Sequence, residues 1–241
     1  MSDIAIGFFD PDDVLGLSGD GWVQQENNIA TTHQRAQGLS AIGDEAAKHV
    51  HGELASGSVV YECHAETGNL TLPNAGAVLG ASEGVDGYLV DNCQLVYSPT
   101  GYPRLTLNVH QHGENPHADE DMRQFTPSLT CPAQYGVPRT LGISNLGDVC
   151  GVRGCTYTWG VTHVDEDENG DHLAGQSRDG VETLAYEFTG HDHGEGDTPA
   201  FADPSGWDEM NDGATKGNTA ADTSSLAWEK HAATAIPEVE E

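Results

Sequence analysis

The chain has 241 residues, with 39 Asp and Glu against 9 Lys and Arg, for a formal charge of −30 at pH 7. Such a surface repels phosphate, which argues against specific nucleic-acid binding. No apolar run approaches the ~20 residues of a membrane span, so no membrane partner is expected. Only Lys48, Lys216 and Lys230 are lysines, and the acids are spread along the whole chain. That balance suits concentrated salt, where screening lengths fall to roughly 3 Å near 1 M. A halophilic source is therefore one expectation, and an acidic protein of ordinary salt the other.

Residues 4–9 (IAIGFF) are too short for the apolar core of a secretory signal. Residues 1–28 are expected as an N-terminal arm. The stretch 34–50 (QRAQGLSAIGDEAAKHV) has helical composition, but Gly38 and Gly43 interrupt it. Both a short helix and extended strands stay open there. Beyond it the hydrophobic period is two, not 3.6. Strands are expected at 58–64, 88–97, 104–110, 156–164, 181–188 and 224–230, where Thr, Val, Tyr and Trp concentrate. SPTGYP at 98–103, Asn169-Gly170 and Arg178-Asp179-Gly180 read as turns between them. Tyr61, Tyr88, Val90, Leu95, Tyr97, Leu105, Leu107, Trp159, Tyr186 and Trp228 are the candidate core. The stretch 190–223, rich in Gly, Asp and Thr, reads as a long loop or arm before the last strand.

The fold class that follows is all-β: a sandwich or barrel of antiparallel strands with long loops and at most one short helix. An internal echo adds to it. Thr32-His33, Gly43-Asp44, Ala47, Gly52 and Tyr61-Glu62 recur in the same order as Thr162-His163, Gly170-Asp171, Ala174, Gly180 and Tyr186-Glu187. That order suggests a duplicated β module. The organisation expected is an arm (1–28), a first module (29–125), a connecting segment (126–155) and a second module (156–241).

Asp165, Asp167, Asn169 and Gly170 open the calcium-loop pattern. Position twelve of that loop is Gln176 rather than Glu, and TYTWGVT precedes it where a helix should stand. A hairpin tip at Asn169-Gly170 is the preferred reading, with a weak Ca2+ site on Asp165, Asp167 and Asn169 as the alternative. His110 and His112 lie two apart on a strand and so share a face, with His117 close behind. Imidazole pairs suit a transition metal. The arrangement resembles the H-x-H…E ligands of cupins, but Glu114 follows His112 after one residue rather than several, and no glycine sits at the expected place upstream. A second pair, His191 and His193, could meet the first and hold an adventitious ion. Cys63 and Cys93 read as buried thiols. For Cys150 and Cys155 a disulfide or half a metal site both stay open. No catalytic set emerges: there is no G-x-S-x-G, no P-loop, and Cys63-His64 are strand neighbours on opposite faces. No cofactor is required by the sequence. Arg104, Arg123, Arg139, Arg153 and Arg178 are rare cations in an acidic chain, and are candidates for contacts between subunits.

The strand–hairpin–strand units at 156–188, the SPTGYPRLTLNV hairpin at 98–109 and the halved echo resemble the tail-tube and baseplate-hub proteins of tailed viruses. The resemblance spans about residues 29–231. It implies a virion structural protein without catalysis, assembled in the host cytoplasm. Its partners would be copies of itself, stacked in rings with their strands joined, and other virion proteins. Acids such as those of DEDENGD (165–171) or HADEDM (117–122) would line a passage through which DNA slides without sticking. The alternatives carried forward are a capsid or decoration protein of a halophilic virus, a metal enzyme on His110 and His112, and a calcium-dependent adhesion module.

Overall fold

The computed structural model describes residues 13–18, 21–39, 45–65, 67–80, 87–112, 124–138, 141, 152–168, 171–189, 206–215 and 223–231. Its strands are β1 (Trp22–Asn27), β2 (Ala30–Leu39), β3 (Glu45–Cys63), β4 (Val78–Leu79), β5 (Tyr88–Tyr97), β6 (Arg104–His112), β7 (Val152–Glu168), β8 (Asp171–Thr189), β9 (Asp208–Thr215) and β10 (Thr223–His231). No helix occurs among the described residues, so 34–50 resolves in favour of strands where it is described. All ten strands join one antiparallel sheet, in the order β1-β3-β6-β5-β7-β8-β10-β9, with β2 also on β3 and β4 on β5. The sheet is open: among the described residues β9 pairs only with β10, and β1 and β2 pair only with β3. The barrel alternative is thereby set aside within one chain.

The alternation that marked the strands is the alternation that buries them. Val59, Tyr61 and Cys63 on β3, Cys93, Leu95 and Tyr97 on β5, and Leu105, Leu107 and Val109 on β6 all point to one face. Cys155, Tyr157 and Trp159 on β7, Leu184, Tyr186 and Phe188 on β8, and Trp228 on β10 continue it. Nine of the ten expected core residues are buried; Tyr88 is partly buried against the same core. Segments 67–77 and 124–138 lie over this face and are tied to each other by bridges Asn69↔Pro132 and Ala75↔Phe125. Aromatic polar groups satisfy their carbonyls: Trp159 Nε1 donates to Pro73 O at 3.0 Å, Trp22 Nε1 to Thr71 O at 3.2 Å, and Tyr97 Oη to Pro132 O at 2.8 Å. An irregular layer with unpaired carbonyls could not lie on an apolar face without such donors.

The sheet is built from two halves of one plan. The first half runs β1/β2-β3-β6-β5 and the second β7-β8-β10-β9: a long hairpin whose second strand pairs with the second strand of the next hairpin. The register repeats as well. Asn27↔Val59 and Ala30↔Ser56 become Tyr157↔Leu184 and Gly160↔Val181 when 130 is added to one strand and 125 to its partner. Tyr61 faces Leu105 as Tyr186 faces Leu226. Each outer strand bulges at one residue, Asp91 in β5 and Met210 in β9. Ahead of each first strand the sequence reads Leu-Gly-Leu-Ser (15–18) and Leu-Gly-Ile-Ser (141–144), and Leu15 and Leu141 are both buried. Of the sequence echo, Thr-His and Tyr-Glu fall at matching register positions. Gly52 and Gly180 do not: the place of Gly180 in the first half belongs to Ala55.

Three expectations are corrected. Arg178-Asp179-Gly180 is not a turn; β8 runs through it, with Asp179 as an extra residue at φ 45° between the pairs Thr162↔Arg178 and Val161↔Gly180. The arm at 1–28 contains β1 and the buried Leu15 and Trp22, and β7 starts inside the connecting segment, at Val152. The stretch 190–223 contains β9, whose DEMNDGAT sequence has little intrinsic strand preference and depends on β10 for its pairing.

Candidate functional site

Three places can carry function: a histidine–carboxylate group, the open face of the sheet, and its two edges.

His110 is 7% exposed near the end of β6, opposite Ser56 and Leu89. Its Nδ1 lies 2.9 and 3.0 Å from the two carboxylate oxygens of Asp91, the bulge residue of β5. The bulge re-aims Asp91, which a regular strand would have placed out of step with its neighbours. The His163 ring stands 4.8 Å from that of His110, tilted by 46°. The sequence singled out His110 but paired it with His112; the structure groups it with Asp91 and His163. His163 carried a signal, since it is the His of the Thr-His echo. Asp91 carried none. The side chain of His112 and all of His117, His191 and His193 lie outside the described residues. No cluster of three or more His, Cys, Asp or Glu with metal-holding geometry occurs among the described residues.

Asp165 and Asp167 lie on β7 opposite Gly175 and His172, and pairing continues to Glu168↔Asp171. Asn169 and Gly170, where the hairpin tip is expected, lie outside the described residues. Strands, not helices, flank this would-be calcium loop. The Asp165 and Asp167 side chains are also outside the described part. Cys155 is a buried free thiol, as are Cys63, Cys93 and Cys131; Cys150 lies outside the described residues. Burial pushes the Cys131 and Cys155 thiols up to about 12 and Cys93 well above its ordinary value, which makes them poor nucleophiles.

Glu182 is the one fully buried acid among the described residues, at 1% exposure. It accepts from Ser128 N at 3.0 Å, Ser128 Oγ at 2.7 Å and Tyr157 Oη at 2.8 Å. Three donors satisfy it, and its work is structural: it fastens the 124–138 segment to β7 and β8.

The opposite face of the central strands carries short polar side chains at its middle. It presents Asn92 and Gln94, Thr106 and Asn108, and Thr158 and Thr183. Asn108 Nδ2 donates to Asn92 Oδ1 at 2.6 Å, and the Thr158 and Thr183 hydroxyls are hydrogen-bonded to each other. A shallow depression of about 360 Å³ lies here, lined by Asn92, Thr158, Gly160, Asp179 and Thr183 among others.

Of the five arginines expected at subunit contacts, Arg104 is half exposed and bonds Glu26 of β1 across β3, within the chain. Arg153 is exposed on β7. Arg123, Arg139 and the Arg178 side chain lie outside the described residues. The sheet edges are polar. β9 carries Asp208, Glu209 and Asp212; β1 carries Glu26 and also Val23, one of two large apolar side chains left exposed among the described residues.

No family model matches the sequence, and no curated protein matches it either.

Proposed function

We propose that the chain is a non-catalytic structural subunit of a viral particle that assembles with copies of itself, of the tail-tube or baseplate kind. The observation that carries this is the open two-module sheet, whose halves are joined edge to edge by β5 and β7 while its outer strands keep a free side among the described residues. Unpaired edges on a monomer are a hazard unless they are meant to be met. The acids of 165–171 at the end of the β7–β8 hairpin would face passing DNA and repel it. A capsid or decoration subunit would use the same edges. The test is light scattering on the purified chain at low and high salt, followed by electron microscopy. Rings or tubes support the proposal; a monomer under every condition overturns it.

A second reading starts from His110, whose ring adjoins Asp91 and His163 without forming a three-ligand metal group among the described residues. A metal enzyme would show about one transition metal per chain by elemental analysis, removed by His110→Ala. Metal-free protein with those contacts intact rejects it.

A further inference from the structure

The joint between the two halves describes a joint between two molecules. Inside the chain, β5 of the first half meets β7 of the second: Gln94↔Thr158, Leu95↔Tyr157 and Val96↔Thr156. The repeated register gives each partner a counterpart. Thr156, Tyr157 and Thr158 correspond to Glu26, Asn27 and Asn28, on subtracting 130. Gln94, Leu95 and Val96 face Thr106, Leu105 and Arg104 of β6; the counterparts of those on β10 are Ala227, Leu226 and Ser225, which face Asn211, Asp212 and Gly213 of β9. So the strand that plays β5 in the second half is β9, and the strand that plays β7 in the first half is β1 with its continuation to β2. Both of these edges pair on one side only among the described residues.

We infer that β9 of one copy pairs antiparallel with the 26–28 edge of a second copy, in the register Asn211↔Asn28, Asp212↔Asn27 and Gly213↔Glu26. This rests on the self-assembly proposed above and names its contact. The contact is head to tail, two different surfaces meeting, so it propagates to a closed ring or an open filament rather than stopping at a dimer. Val23, exposed on β1 beside this edge, gains cover from the incoming strand. The inner joint is apolar on its core side, with Leu95 against Tyr157. The outer one sets Asp212 against Asn27 and Gly213 against Glu26, near Asp208 and Glu209. Like charges that close oppose pairing at low salt and are screened when the Debye length drops to roughly 3 Å. Assembly through this edge therefore turns on with ionic strength.

The test mixes two full-length single variants, Asp212→Cys and Asn27→Cys, under mild oxidation at low salt and at about 2 M salt. The native thiols Cys63, Cys93, Cys131 and Cys155 are buried, and the unsubstituted chain, which also carries Cys150, is the background. Disulfide-linked peptides are identified by mass spectrometry. The expected result is a 212–27 link between chains that forms at high salt, about tenfold more than when Thr32→Cys replaces Asn27→Cys, because a five-residue slip puts the sulfurs out of reach. Equal linking in both mixtures overturns the register. Oligomers by light scattering without a 212–27 link overturn this joint while leaving the self-assembly proposal standing. A monomer at every salt concentration overturns both.

Discussion

Tyr61 and Tyr186 hold matching positions on β3 and β8, and each uses its hydroxyl to clasp the leucine-bearing segment that leads into its own half of the sheet. Tyr61 Oη accepts from Leu15 N at 3.3 Å and donates to Asp13 Oδ1 at 3.1 Å. Tyr186 Oη lies 3.0 Å from Leu141 O and 3.2 Å from Pro138 O. Both rings are fully buried. Removing either hydroxyl leaves polar atoms in an apolar setting, so Tyr61→Phe and Tyr186→Phe should each cost about 1–2 kcal/mol by urea denaturation. The two clasps share no partner, so the double variant should lose the sum to within about 0.5 kcal/mol.

Glu182 should be the most sensitive acid in the described core. Glu182→Ala strands Tyr157 Oη in the interior and releases the Ser128 N and Oγ donors, and a loss of about 2 kcal/mol is expected. Ser128→Ala removes one donor and should cost about 1 kcal/mol. An unchanged midpoint for Glu182→Ala would show that the 124–138 segment is not fastened there.

Gly180 is required by Phe125 rather than by backbone freedom. A Cβ at 180 would stand 2.2 Å from the Phe125 ring. Gly180→Ala should destabilise by about 2 kcal/mol, and Phe125→Ala in the same chain should recover part of that loss instead of adding its own full cost. Additive losses would contradict the contact.

Alkali should weaken the fold. Burial raises the Cys131 and Cys155 thiols to about 12 from an ordinary value of 9.0. The unfolded chain therefore sheds these protons first. Their stabilisation is complete below pH 9 and is lost as pH rises toward 12, at about 1.4 kcal/mol per pH unit for each thiol ionising independently. Tyr97 and Tyr186, also raised by burial, extend the same trend. Thermal melts between pH 8 and 11 should show a falling Tm, and Cys93, Cys131 and Cys155 should resist alkylation at pH 8 in the folded protein.

Salt should act the other way. With a charge of −30, self-repulsion falls as screening shortens. Tm should rise by several degrees between about 0.1 and 1 M sodium chloride. A flat response would count against an origin in concentrated salt.

The strands legible in the sequence were those with one buried face. β5 was read with its observed bounds, and β6, β7, β8 and β10 at their centres, because burial on one side forces alternation. The rest of β2, β3, β7 and β8 extends past the strands that flank them, so nothing enforced a pattern there. At β2 the Ala- and Gln-rich run read equally as helix. Turn chemistry misled at Arg178-Asp179-Gly180, where the same positive φ that suits a turn serves a bulge. His110 was legible as a special histidine, but its partners lie 19 and 53 residues away in sequence (Asp91 and His163), and only the β5–β6–β7 register unites them. The duplication was half visible: Tyr61 and Tyr186 stood out, while the matching hairpin registers required knowledge of which residues pair.

Residues 45–53 of β3 are paired with β2 alone, and 161–168 of β7 with β8 alone, so each module ends in a two-stranded finger. A lone hairpin is marginal in water. Amide exchange in the isolated chain should be fastest along these fingers and slow sharply when a neighbour lies against them. The protection of each finger thus depends on the company it keeps, and the gain in protection on joining a particle would map where that company sits.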